Sequence, residues 1–103
     1  MKAVMVTDDG VKFIDAPTPK PKANEVLIRV RACGLNRADL MVASGMAHGT
    51  VGGAGTIVGM ESSGEVAEMG ADVQGFAVGD RVMASGGAAW AEYAVADCGR
   101  TVK

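Results

Sequence analysis

Aromatic side chains are almost missing from this chain. Two Phe, one Tyr and one Trp make up 4% of its 103 residues. Stacked rings therefore cannot build the core, which falls to the Val, Ile, Leu, Met and Ala that dominate a 49% hydrophobic composition. Histidine and cysteine are as scarce: His48, Cys33 and Cys98 are the whole set. With no Cys-x-x-Cys pair, a disulfide scaffold or a dense cysteine zinc cluster is excluded, and two reduced thiols are expected. Charge of one sign is not in excess either, with 10 Lys and Arg against 12 Asp and Glu. No basic run stands out, so neither nucleic acid nor an anionic membrane surface is an expected partner. No apolar run is long enough to span a bilayer. The N-terminal Met1–Val6 is cut short by Thr7-Asp8-Asp9-Gly10, which does not suit a signal peptide. One domain in the cytoplasm is the expectation.

What is present alternates and turns. Lys2–Val6 and Val11–Ile14 flank Asp8-Asp9-Gly10, the chemistry of a β-hairpin. The only three prolines, Pro17, Pro19 and Pro21, follow at once and leave an extended, exposed connection. Glu25–Cys33 is the strongest strand signal. Val26, Ile28 and Val30 are expected on one face, and Leu27, Arg29 and Arg31 on the other. The period then changes. Asn36 can cap a short helix reaching Ser44, and Gly45 is a natural stop. Residues 45–59 hold six glycines and read as a loop. Strands resume at Ser62–Met69, Arg81–Ala84 and Ala89–Ala96. Many short strands with glycine turns point to a mainly β chain folded as a small, partly open barrel with one or two short helices.

Few residues offer chemistry by themselves. Gly53-Ala54-Gly55 begins like a phosphate loop, but Val58 stands where G-x-G-x-x-G needs its third glycine, and neither a strand nor a helix flanks it correctly. His48 stands alone among small residues, far from either cysteine, so convergent metal ligands are not evident. Ser62 and Ser63 lack a nucleophile-elbow context. Glu61, between an apolar run and a strand, is expected to be partly buried and paired with Arg37 or Arg81.

Five blocks, taken in order, carry a resemblance. They are Met1-Lys2-Ala3-Val4, then Asn24–Val30, then Gly34-Leu35-Asn36-Arg37-Ala38-Asp39. Gly59-Met60-Glu61-Ser62-Ser63-Gly64-Glu65-Val66 runs on to Gly79-Asp80-Arg81-Val82, and Ala91-Glu92-Tyr93 closes the series. Together they resemble the N-terminal GroES-like domain of the medium-chain dehydrogenase/reductase superfamily, and span essentially the whole chain. The third block is similar to that of the zinc-independent quinone oxidoreductases, zeta-crystallin-like proteins and related enoyl reductases.

The resemblance implies a GroES-like domain over residues 1–103, with the Rossmann cofactor domain absent from this chain. In zinc members the cysteine ligand falls on Asn36, the histidine ligand on Met60 and the proton-relay hydroxyl on Ala38, so no metal is implied here. Asn36 becomes the implied catalytic residue, orienting a carbonyl and contacting the cofactor together with Arg37. Two tyrosines frequent in the quinone-oxidoreductase branch fall on Met41 and Ala47, leaving Met41, Met46 and Met60 as an adaptable apolar substrate pocket. The same methionines can equally be core residues. The implied activity is hydride transfer from NADPH to a quinone or an α,β-unsaturated carbonyl, in a homodimeric parent whose isolated domain is inactive. The alternatives are an enoyl-thioester reductase and a stand-alone GroES-like binding or assembly module.

Overall fold

The computed structural model describes residues 1–45 and 53–103. Met46, Ala47 and His48, named above, lie outside the described residues, as does part of the glycine-rich loop.

The expected hairpin is β1 (Lys2–Thr7) paired antiparallel with β2 (Gly10–Asp15), closed by a turn in which Thr7 Oγ1 donates to the Gly10 carbonyl at 2.6 Å. The second sheet holds β3 (Glu25–Cys33), β4 (Glu61–Met69), β5 (Arg81–Ser85), β6 (Tyr93–Asp97) and β7 (Thr101–Val102), in the order β6-β3-β4-β5-β7. Every pairing in it is antiparallel. Single bridges, Ala3 to Ala91 and Met5 to Ile57, stitch β1 to the segments leading into β6 and β4. The sheets curl into the partly open, mainly β barrel that the sequence predicts.

The core has two parts. Val26, Ile28, Val66, Val82, Ala84 and Ala96 form one cluster inside the larger sheet, and Val6, Val42 and Val58 form another under the helix. Small branched residues fill both, as the shortage of aromatics requires.

Three details depart from the expected pattern. Leu27 is buried on the face it was expected to share with Arg29 and Arg31, apart from the cluster that takes Val26, Ile28 and Val30, so both faces of β3 are covered at that level. The strand foreseen over Ala89–Ala96 is regular only from Tyr93. Ala88 sits at φ 58° before it, and Trp90 and Glu92 divide their backbone bonds among Val58, Val4, Lys2 and Val30, with a single bridge at Ala91 in place of a continuous ladder. A 3-10 turn at Cys98–Arg100 and the two-residue β7 after it were not foreseen. Cys33 and Cys98 are free thiols, and no helix among the described residues is long and apolar enough to cross a membrane.

The helix α1 (Arg37–Ala43) starts where the capping residue predicts. Asn36 is extended at φ −122°, ψ 154°; its N–H donates to Asp39 Oδ2 at 2.8 Å, and Asp39 N–H donates to the Asn36 carbonyl at 2.9 Å. An acidic group in the first turn also suits the positive end of the helix. Past the C-terminus, Gly45 takes φ +88°, which a side chain would strain, and its N–H returns to the Val42 carbonyl at 3.0 Å. Val42 turns inward, while Leu40 on the same helix is 70% exposed.

Candidate functional site

Strand β3 ends at Cys33 and the chain turns through Gly34, Leu35 and Asn36 into the helix. Two hydrogen bonds fix that turn. Gly34 N–H reaches the Glu61 carbonyl at 3.3 Å, and the Trp90 indole Nε1–H donates to the Gly34 carbonyl at 3.1 Å. Trp90 also donates its backbone N–H to Val58 at 2.8 Å and accepts from Val4 at 2.9 Å, which sets the ring position. Gly59, at φ +114°, lies against the Trp90 ring and backbone so closely that no Cβ would fit. The Met60 carbonyl accepts from Gly86 N–H at 2.9 Å. The turn carrying Asn36 and the Gly59–Glu61 corner are thus tied edge to edge.

Asn36 is exposed at the helix N-cap, and Arg37, the first helical residue, is exposed beside it with no ion pair among the described residues. Met60 is half-buried and Met41 is 38% exposed; neither belongs to a core cluster. Core filling therefore does not account for these two methionines. Ala38 has no hydroxyl to relay a proton. Glu61 is a correction. It is exposed and makes no ion pair with Arg37 or Arg81, because its side chain folds over the bare Cα of Gly34 and stays in contact with solvent.

Two cavities flank the turn, on either side of Cys33. One, of about 550 Å³, is lined by Glu61, Ser62, Ser63, Ser85 and Arg100 with Met83. The other, of about 490 Å³, is lined by Val4, Phe13, Val30, Leu35 and Trp90, with Lys2, Arg31 and Glu92 among its remaining wall residues. Neither is lined by Asn36, Met41 or Met60. At the rim of the apolar one, Arg31 Nε contacts Glu65 Oε2 at 2.8 Å. That hydrogen bond holds the Glu65 carboxyl below the usual carboxylate range and raises the Arg31 guanidinium.

Sequence reasoning missed Trp90. The available signal was its rarity, one tryptophan in a chain with four aromatic residues, directly before the Ala91-Glu92-Tyr93 block. No group of three or more His, Cys, Asp and Glu side chains converges among the described residues. At this corner stand an amide, a guanidinium, a thioether and an indole, a set suited to orienting a polarised carbonyl beside apolar surface.

Residues 22–103 match the family described as the alcohol dehydrogenase GroES-like domain. A chloroplast envelope quinone oxidoreductase homolog from Arabidopsis thaliana is 36% identical over 99 residues, 91% of this chain and 30% of the relative. The crystal structure of a human synaptic vesicle membrane protein VAT-1 homolog-like protein superposes with a TM-score of 0.90 at 36% identity, over 100% of this chain and 35% of that one. A mycobacterial protein solved in complex with NADPH superposes with a TM-score of 0.86 at 32% identity, over 100% of this chain and 33% of that one. The chain spans about a third of the length of these relatives.

Proposed function

The chain belongs to the alcohol dehydrogenase GroES-like domain family of the medium-chain dehydrogenase/reductase superfamily, and on that premise we propose that it is the substrate-side domain of a zinc-independent, NADPH-dependent oxidoreductase. In this reading the full protein reduces quinones or α,β-unsaturated carbonyls. The observation that carries it is the corner where Asn36 is exposed at a helix start and Met60 is half-buried on the segment whose Glu61 carbonyl accepts from Gly34, in the same turn. These are the positions at which zinc members of the superfamily carry Cys and His. An amide and a thioether cannot replace that pair as zinc ligands, since a closed site calls for thiolate, imidazole or carboxylate.

NADPH fits what the chain offers only at its edges. The Asn36 amide can donate to and accept from a carboxamide, and the exposed Arg37 can meet a phosphate oxygen. A pyrophosphate cradle is not formed by the described residues, so a cofactor domain beyond this one belongs to the proposal. When bound, the cofactor supplies the hydride. Asn36 holds the acceptor carbonyl in line for it, and Met41 and Met60 give apolar surface that keeps water from the reacting face. The reduced oxygen then takes its proton from water. A homodimeric, cytoplasmic parent without nucleic acid or membrane partners completes the reading, and the near-balance of charge supports the part of it that concerns nucleic acid and anionic membrane.

The test is loss of nicotinamide absorbance catalysed by the native polypeptide that carries this domain, with tetramethylbenzoquinone and an alkyl enone as acceptors. Asn36→Ala is expected to lower kcat about tenfold to a hundredfold with little change in cofactor affinity. Turnover unaffected by Asn36→Ala, or no turnover with either acceptor, would overturn the reading.

A further inference from the structure

The apolar cavity beside the Asn36 turn has a property that bears on substrate class. Its walls are Trp90, Leu35, Phe13, Val4 and Val30, and two of these are strongly exposed, Phe13 at 84% and Leu35 at 80%. Three charged residues also line it, and each is already engaged within the protein. Lys2 Nζ lies 2.9 Å from Asp15 Oδ2, Arg31 Nε lies 2.8 Å from Glu65 Oε2, and Glu92 Oε1 accepts the Lys2 backbone N–H at 2.5 Å. Neither cation is free to greet a carboxylate or a phosphate, while Glu92 has a backbone N–H but no counter-cation among the described residues. The apolar walls therefore favour an occupant that is not an anion and is largely hydrocarbon.

The cavity also abuts the turn that carries Asn36, although Asn36 itself does not line it. Leu35 immediately precedes Asn36, and Trp90 on the opposite wall donates its indole N–H to Gly34, two residues before Asn36. A volume of about 490 Å³ lies within the range of small-molecule pockets, roughly 300–1,000 Å³. Building on the quinone or enone reading above, we propose that this cavity seats a hydrocarbon substituent of the substrate, so that the site selects quinones or enones bearing an alkyl tail. A polar headgroup held at Asn36 leaves the tail to run past Leu35 onto the Trp90 wall. The flanking cavity, lined by Arg100, Glu61 and three serines as well as Met83 and Val102, is the more polar of the two.

Trp90 supplies the readout, because the chain has a single tryptophan and thus a single indole N–H resonance. The probes are tetramethylbenzoquinone, trimethyl-decyl-benzoquinone and decanol, titrated into the ¹⁵N-labelled chain. Both quinones are fully substituted and cannot alkylate Cys33 by conjugate addition. The decyl quinone is expected to move the indole resonance with a Kd about tenfold or more below that of tetramethylbenzoquinone. Leu35→Ser and Phe13→Ser, both at exposed positions, are expected to shrink that ratio towards one. If the two quinones bind alike, or the ratio survives both substitutions, the tail site is overturned while the quinone reading stands. If decanol moves the indole resonance in a manner sensitive to Leu35→Ser and neither quinone adds to it, the tail site is upheld and the quinone reading falls.

Discussion

The indole Nε1–H of Trp90 donates to the main-chain carbonyl of Gly34 at 3.1 Å, across 56 residues of sequence. This bond joins the irregular segment before β6 to the turn that presents Asn36. It holds the candidate site together from the side that the helix does not reach. The Trp90 ring packs at the same time against the cluster of Val6, Val42 and Val58.

Replacing Trp90 with Phe keeps an aromatic ring in place but removes the indole N–H donor along with the bulk of the second ring. The Gly34 carbonyl then loses its partner in a half-buried position, at a cost of about 1–2 kcal/mol. For a domain of this size about 1 kcal/mol corresponds to roughly 4–8 °C in melting temperature. A thermal melt of Trp90→Phe followed by circular dichroism should show a drop of that order. An unchanged melt would mean that the bond is not made in solution.

Gly64 and Gly87 separate space from conformation. A Cβ on Gly64 would collide with the Arg29 carbonyl of the neighbouring strand, and both colliding groups are backbone. Gly64→Ala must open the β3–β4 pairing, and a loss of about 1–3 kcal/mol is expected from overpacking alone. Gly87 has nothing within 4 Å of its virtual Cβ and no left-handed φ. Gly87→Ala should leave stability unchanged or raise it by about 0.4–1 kcal/mol through the unfolded chain. Urea midpoints for the two variants test the contrast.

Local chemistry was legible in the sequence; long-range pairing was not. The hairpin, β3 at Glu25–Cys33 and the helix between Asn36 and Gly45 each carry their own signal: alternation, a turn, a cap, a stop. Leu27 does lie apart from the cluster of Val26, Ile28 and Val30, as alternation predicts; what the alternation of one strand does not contain is that this second face is covered there as well. Ala89–Glu92 looked like strand for a related reason: its bonds go to Lys2, Val4, Val30 and Val58, partners some 30 to 90 residues away. Asn36 and Met60 are candidates singled out by motif position. Trp90 belongs to no catalytic residue class, so only the fold reveals what it touches. Glu61 was expected to pair because a carboxylate near apolar residues suggests burial, but the missing side chain of Gly34 gives it room at the surface.

Arg31 and Glu65 make stability depend on acid pH. The Arg31 hydrogen bond lowers the folded-state pKa of Glu65, so in acid the unfolded chain binds a proton more readily than the folded one. The contribution is complete above the ordinary carboxylate value. It declines as pH falls below that value and is gone once pH passes the lowered folded value. Both groups touch solvent, so salt should weaken the effect. In Glu65→Gln the acid limb of the urea midpoint against pH should flatten relative to the parent chain. Parallel limbs would show that the pair does not persist in solution.

Asp39 presents a sharper case, because it is 1% exposed and only half satisfied. Oδ2 accepts the Asn36 N–H at 2.8 Å, while Oδ1 has no hydrogen-bond partner among the described residues. A buried carboxylate oxygen without a donor is costly, so the Asn36 contact and the favourable field of the first helical turn must outweigh that cost. Asp39→Ala removes the acceptor and leaves both a small cavity and an unpaired Asn36 N–H, an expected loss of about 1–3 kcal/mol. Asp39→Asn can still turn a carbonyl oxygen to the Asn36 N–H, and it removes the buried charge, so its loss should be the smaller one. The two variants also separate stability from site geometry. Amide exchange at Asn36 should accelerate markedly in Asp39→Ala and stay near the parent rate in Asp39→Asn. Equal exchange in both would assign the helix start to the backbone alone and leave Asp39 without a part in presenting Asn36.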